Sequence, residues 1–200
     1  MNHLIPLDNL VAALSRLPSI GRRTAERMAM ALVQDQKGLV RILAKALLEV
    51  EEKIICCERC GSITLTRSNP CDLCLQPRRD AHLLCLVESP ADILKIEASH
   101  GFQGRYHALM GKLSPMHGIS EKDLRIETLV KRIEDENFTE VIIALGTDVE
   151  SDATASYLKE MLASKKVAVS RIAFGLPAGS AIEYSDSTTL FKALSGRQKM

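Results

Sequence analysis

Four cysteines stand in two knuckles, Cys57-Glu58-Arg59-Cys60 and Cys71-Asp72-Leu73-Cys74, ten residues apart. That spacing suits one tetrahedral zinc ion held by four thiolates. Four thiolates leave no open coordination position, so such a zinc builds structure and activates no water. Cys56 offers an alternative first ligand at three-residue spacing, whereas Cys57 keeps two-residue spacing in both knuckles. A redox dithiol is the rival reading, and the second knuckle argues against it. Cys85 lies in an apolar run and reads as a buried small hydrophobe.

A second chemistry is carried by Arg22, Arg23 and Arg27. They follow the turn Leu17-Pro18-Ser19-Ile20-Gly21 and open a helix. A helix amino terminus has unpaired N–H groups and a dipole that favours an anion. Arginines at the same place suit the phosphate backbone of DNA, read without regard to sequence and weakened by salt. The plainer alternative is a helix hairpin with solvated arginines.

The third set is acidic. Glu88 ends an apolar strand, Asp92 follows in the first turn of a helix, and Glu150 and Asp152 lie just past another strand. Carboxylates at the carboxyl ends of parallel strands can hold Mg²⁺, which prefers oxygen ligands. The alternative is that they cap helices. No Gly-x-x-x-x-Gly-Lys-Ser/Thr loop is present, which argues against a P-loop ATPase. His3, His82, His100, His107 and His117 show no pairing with a nucleophile, and structural or surface roles are expected of them.

The elements that must position these groups follow from periodicity. Leu7, Leu10, Val11, Leu14 and Leu17 predict one helix; Ala25, Met28, Ala29 and Leu32 a second; Leu39 through Val50 a third. Three short helices make a marginal core that must lean on something else. Ile63 to Thr66 reads as a short strand beside the knuckles, and Pro77-Arg78-Arg79-Asp80 as a linker. Thereafter strands and helices alternate. Strands are predicted at 83–87, 106–110, 141–145 and 167–174. A loop at 111–120, a helix at 121–136 and a helix through Ala155 and Leu162 lie between. Ser89, Pro90 and Asp92 are suited to start the helix after the first strand. Alternation of this kind implies a parallel sheet with right-handed crossovers.

Composition narrows the function. Trp is absent and aromatics are 4%, which excludes a nucleic-acid site built mainly on base stacking. Net charge is only +1. Residues 1–80 carry 12 Lys/Arg against 9 Asp/Glu, and residues 81–200 carry 14 against 16, so phosphate contacts are expected from the amino-terminal part. The opening residues lack the basic and apolar regions of a signal peptide, and no apolar run approaches a bilayer span. The expectation is a cytoplasmic protein with no membrane contact.

The order of hairpin, four-cysteine finger, Val87-Glu88-Ser89-Pro90-Ala91-Asp92, Gly104-Arg105-Tyr106, Leu113-Ser114-Pro115 and Ala153-Thr154-Ala155 resembles the bacterial RecR family. The resemblance implies an α/β chain in four parts. These are a helix-hairpin-helix at 1–54, a zinc finger at 55–79, a Toprim-type parallel sheet with helices on both faces at 80–175, and a C-terminal extension at 176–200 engaged in subunit contacts. It implies a non-catalytic DNA-binding scaffold in recombinational repair. Such a scaffold forms a homo-oligomer, from dimer to tetrameric ring. It works with RecO and RecF to help load RecA on single-stranded DNA at gaps and breaks. By position it assigns DNA contact to Arg23 and Arg27, zinc to Cys57, Cys60, Cys71 and Cys74, and a Mg²⁺ or RecO contact to Glu88, Asp92, Glu150 and Asp152. The alternative is a Mg-dependent Toprim enzyme of the nuclease, primase or topoisomerase kind. Two departures stand out. Gly146-Thr147-Asp148-Val149-Glu150-Ser151-Asp152 replaces the usual Asn-Pro-Thr-Val-Glu-Gly-Glu, and Ala181 stands where an acid is usual.

Overall fold

Pro6 sits in the first turn of α1 (Ile5–Leu14), where its missing N–H costs no hydrogen bond. A computed structural model describes residues 4–176 and 179–197. The chain divides into two compact units, one through Ile54 and the other from Ile55 onward. In the first, α1 packs on α2 (Arg22–Gln34), and α3 (Leu39–Lys53) follows. Ala25 and Ala29, four residues apart and so on one helical face, are the only buried side chains of these three helices. Gly38 begins α3 at φ 81°, a left-handed conformation that glycine adopts without strain.

The second unit opens on a ribbon of β1 (Ile54–Cys56) and β2 (Ile63–Leu65) and a single turn, α4 (Asp72–Leu75), which carry the knuckles. Then come β3 (Leu83–Val87), α5 (Pro90–Ser99), β4 (Arg105–Ala108), α6 (Ile126–Asp135), β5 (Glu140–Ala144), α7 (Val149–Leu162) and β6 (Ala168–Arg171). The sheet order is β4-β3-β5-β6, and every pairing is parallel. Chain direction across the sheet reverses between β3 and β5, which makes their carboxyl ends the topological switch point.

Alternation along β3 sorts the core into two faces. Leu84 and Leu86 join Leu129 and Ile133 of α6 and Leu158 and Leu162 of α7. Cys85 and Val87 face the other way, with Ile93 of α5, Tyr106, Ala108 and the four knuckle cysteines. The finger thus covers part of a sheet face that a helix would otherwise occupy. Burial pushes the Cys85 thiol up to about 12, in keeping with an inert core residue.

Local structure departs from the expected spans in four places. The strand expected at 106–110 is 105–108, because Met110 turns left-handed at φ 65°. The helix expected from 121 is a 3₁₀ turn, Glu121–Asp123, closed by Ser120 and Asp123, and α6 starts only at Ile126. Extended Leu124 intervenes, and both Leu124 and Ile126 reach the core. The strand expected at 167–174 ends at Arg171, because its partner β5 ends at Ala144. The stretch 77–80 is no free linker. Arg79 is buried, donating to the Gly104 carbonyl (2.9 Å) and pairing with Glu97, and Asp80 N–H donates to the Gln103 carbonyl (2.8 Å).

The carboxyl-terminal segment ends in α8 (Ser187–Ser195), whose amino terminus is capped by Asp186 through the N–H groups of Thr188 and Thr189. Pro177 and Ala178, within the expected extension, and His3 lie outside the described residues.

Candidate metal centre and nucleic-acid interface

The first knuckle is a tight turn: Gly61 N–H donates to the Cys57 carbonyl (2.8 Å) and Cys57 N–H to the Ser62 carbonyl (2.7 Å). Gly61 adopts φ 82°, and a Cβ there would lie 2.6 Å from Arg125 Nη1, so no other residue fits. Cys60 Sγ accepts from Ser62 N–H (3.4 Å), and Cys57 Sγ from Cys71 N–H (3.3 Å). All four sulfurs lie within 4.8 Å of one another and are buried. The 57–74 and 60–71 sulfur separations are 3.9 and 3.4 Å. A zinc–sulfur bond of ~2.3 Å implies a tetrahedral edge of ~3.8 Å, so the arrangement fits zinc. Cys56 is exposed and outside the cluster.

The thiols also conflict electrostatically. Hydrogen bonding with Cys71, reinforced by burial, raises Cys60, and bonds from Cys60 and Cys71 raise Cys74. The same bonds draw Cys71 down. One buried negative charge is tolerated, whereas four require a cation.

Arginines from the sheet domain hold the backbone of the finger. Arg105 Nη1 donates to the carbonyls of Leu73 (2.9 Å) and Cys74. Arg125 Nη2 donates to that of Glu58, and Arg132 Nη1 to those of Arg59 (3.3 Å) and Tyr106 (2.8 Å). Arg59 pairs in return with Glu136 (2.9 Å). His107 is fully buried between them. Its Nδ1 accepts from Arg132 (3.3 Å), which leaves Nε2–H to donate to the Arg125 carbonyl (2.9 Å). Burial, with Arg132 alongside, lowers its pKa to about 3. Sequence patterning did not single out Arg125 or Arg132, and gave Arg105 no contact with the finger. Their spacing from the knuckles, up to 73 residues, hides the contacts.

In the helical unit, the hairpin turn is made by Ser19 at φ 62°, while Gly21 is extended at φ −77° and caps α2 with no side chain. A Cβ at Gly21 would meet nothing within 4 Å. Its use is to leave the first N–H groups of α2 uncovered. Arg22, Arg23 and Arg27 are all exposed there. Arg22 reaches Glu26 (3.1 Å), while Arg23 and Arg27, four apart, share one face.

At the switch point the four acids separate into different roles. Asp92 turns back to its own helix and accepts from Ser89 N–H (2.8 Å) and Oγ (3.0 Å). Asp152 pairs with Arg171 (2.6 Å) and Lys192 (3.6 Å), both of which also contact the Phe174 ring, and these pairings lower its pKa. Glu88 and Glu150 remain, joined by Asp148, which caps α7 through Ser151 N–H (3.0 Å). Lys112 reaches all three: Asp148 at 3.0 Å, Glu150 at 3.7 Å and Glu88 at 3.9 Å. Its hydrogen bond to Asp148 raises the Lys112 pKa, and the Asp148 carboxyl is lowered, first by the Ser151 backbone and then by Lys112.

Ser114 also donates to Glu150, whose pKa falls in consequence, and its Oγ lies 2.7 Å from His117 Nδ1. His117 thus meets a serine hydroxyl. Ser114 is nevertheless buried with its proton committed to a carboxylate, which is not the geometry of an activated serine. Among the described residues, the four cysteines alone gather three or more His, Cys, Asp or Glu ligand atoms at metal-binding separations. The carboxylates at the switch point are not such a group.

Family models match three segments of the chain. A Toprim domain matches residues 82–173, a RecR helix-hairpin-helix residues 7–50, and a RecR C-terminal segment residues 175–198. The chain is 41% identical over 200 residues to the recombination protein RecR of Desulforudis audaxviator, covering all of both chains. It is 46% identical over 190 residues to that of Desulforapulum autotrophicum, covering 95% of this chain and 94% of the relative. With that of Moorella thermoacetica it shares 42% over 195 residues, 98% of this chain and 97% of the other. Full-length identity at this level, with a hairpin, four-cysteine finger and parallel sheet in matching order, places the chain in the RecR family of recombination proteins.

Proposed function

We propose that this protein is a non-catalytic DNA-binding scaffold in recombinational repair, which assembles with itself and works with RecO and RecF to help load RecA on single-stranded DNA. The observation that carries the DNA reading is the start of α2: a helix terminus with no side-chain cap, flanked by exposed Arg22, Arg23 and Arg27. Backbone N–H groups at a helix start and guanidinium groups each favour an anion. The family supports the repair assignment, because its relatives are recombination proteins.

Self-association is supported by exposed apolar surface. On α3, Ile42, Leu47, Leu48 and Val50 are 55–70% exposed. Near the carboxyl terminus, Tyr184, Phe191 and Leu194 are 67–83% exposed, and Ala181 is exposed beside them. Two separate apolar patches per chain suit a closed ring of two to four copies. Zinc is structural in this reading. The location is cytoplasmic, at the nucleoid when DNA is bound; among the described residues no helix is long and apolar enough to cross a membrane.

The test is fluorescence anisotropy with labelled single- and double-stranded DNA at several salt concentrations. Replacing both Arg23 and Arg27 by Ala is expected to weaken binding roughly tenfold or more and to flatten the salt slope by about two. Circular dichroism should not change. Unaltered binding would remove the hairpin from the DNA interface.

A further inference from the structure

We propose that the Lys112 ammonium is the resident cation of the carboxylate cluster at the sheet switch point, and that it keeps divalent ions out. Lys112 stands among Asp148, Glu150 and Glu88 at 3.0, 3.7 and 3.9 Å, in the space that an ion shared by these carboxylates would occupy. Mg²⁺ needs its oxygens at about 2.0–2.1 Å in octahedral order and sheds water reluctantly. The carboxylates are not drawn together to that degree, and only the cysteines form such a group among the described residues.

Two further acids are withdrawn from any ion. Asp92 is bound to Ser89, and Asp152 to Arg171 and Lys192. A divalent ion would therefore have to expel Lys112 from three carboxylates at once. Lys112 is tethered to the same fold, so it competes at a high effective concentration. Its stem is held as well, since only 23% of the side chain is exposed.

Asp148 completes the device. It does two jobs there. Its Oδ1 caps α7 through Ser151 N–H, and both of its oxygens accept from Lys112 at 3.0 Å. The Asp148 charge is thus met internally. With Lys112 among them, these carboxylates are partnered by a cation of the chain itself.

This inference deepens the scaffold reading at the Toprim carboxylates and does not depend on DNA binding. The test uses the zinc-loaded full chain without DNA, titrated with Mn²⁺ and followed by the electron paramagnetic resonance of the free ion. Thermal melts with and without Mg²⁺ run alongside. Wild type and Lys112→Arg should show only weak, unsaturating Mn²⁺ uptake and melts insensitive to Mg²⁺. Lys112→Gln and Lys112→Ala should each gain a site at least about tenfold tighter, because one cation at contact range has gone. Adding Glu150→Gln to either should abolish the gain. Equal Mn²⁺ affinity in wild type and both neutral variants would overturn the proposal. So would wild-type uptake that Glu150→Gln removes. Either result leaves the anisotropy test of the hairpin untouched.

Discussion

The helical unit and the zinc–sheet unit bury apolar surface to very different degrees. Three helices spanning Ile5 to Lys53 bury only Ala25 and Ala29. The sheet unit buries Leu84, Leu86, Leu129, Leu158 and Leu162 completely, and Tyr106 almost so. Both units have ordinary apolar content in their helices, so hydrophobicity does not separate them. What separates them is closure. A parallel sheet offers two faces, and here α6 and α7 cover one while α5 and the finger cover the other. Helices α1 to α3 have no such layer of their own, and Leu43, Leu47 and Leu48 of α3 are exposed. A unit of that kind is marginal by itself.

The largest expected effect breaks the closed unit. Cys57→Ser or Cys74→Ser should lose bound zinc and lower the melting temperature by about 10 °C or more, since structural zinc contributes several kcal/mol of folding energy. Zinc analysis and calorimetry would check both. Cys56→Ser, at an exposed cysteine outside the cluster, should change neither.

The next effect sharpens the contrast from the open unit. Leu47→Asp combined with Leu48→Asp places two charges on the exposed face of α3. Burying a leucine is worth about 1.5–3 kcal/mol. Self-association measured by sedimentation should therefore weaken by at least about a hundredfold, while the melt of the sheet unit stays where it was. An unchanged assembly would show that α3 is not its seam.

A smaller effect tests how well the braces between finger and sheet are satisfied. His107 is neutral when folded, with a pKa of about 3, and in the unfolded chain it titrates near its ordinary 6.5. Between those values the unfolded state binds more protons. The stability from burying neutral His107 is complete above about pH 6.5 and declines as pH falls towards 3. At pH 5.5 the loss should be on the order of 1 kcal/mol. Denaturant melts at pH 7.5 and 5.5 should show wild type falling more than His107→Gln by that amount. Parallel behaviour of the two proteins would mean that His107 is not the group responsible.

Much of the site chemistry was legible because it is written in local spacing. The knuckles, the arginines after Gly21, the cap at Ser89 and Asp92 and the apolar strand at 83–87 each lie within a few residues, and local geometry obeys local pattern. Boundaries were less legible. The strand at Arg105–Ala108 ends where Met110 goes left-handed, and β6 ends where its distant partner β5 runs out.

The sequence by itself picked out the candidate groups: four thiols spaced for zinc, arginines at a helix start, and acids at the ends of parallel strands. Tertiary structure decided what those groups do to one another. It brought Lys112 across 36 residues to Asp148, committed Asp152 to Arg171, and set Arg125 and Arg132 against the finger backbone. Ion pairing and hydrogen bonding at contact range depend on distance in space. A parallel sheet joined by helical crossovers makes neighbours of residues that the chain keeps far apart.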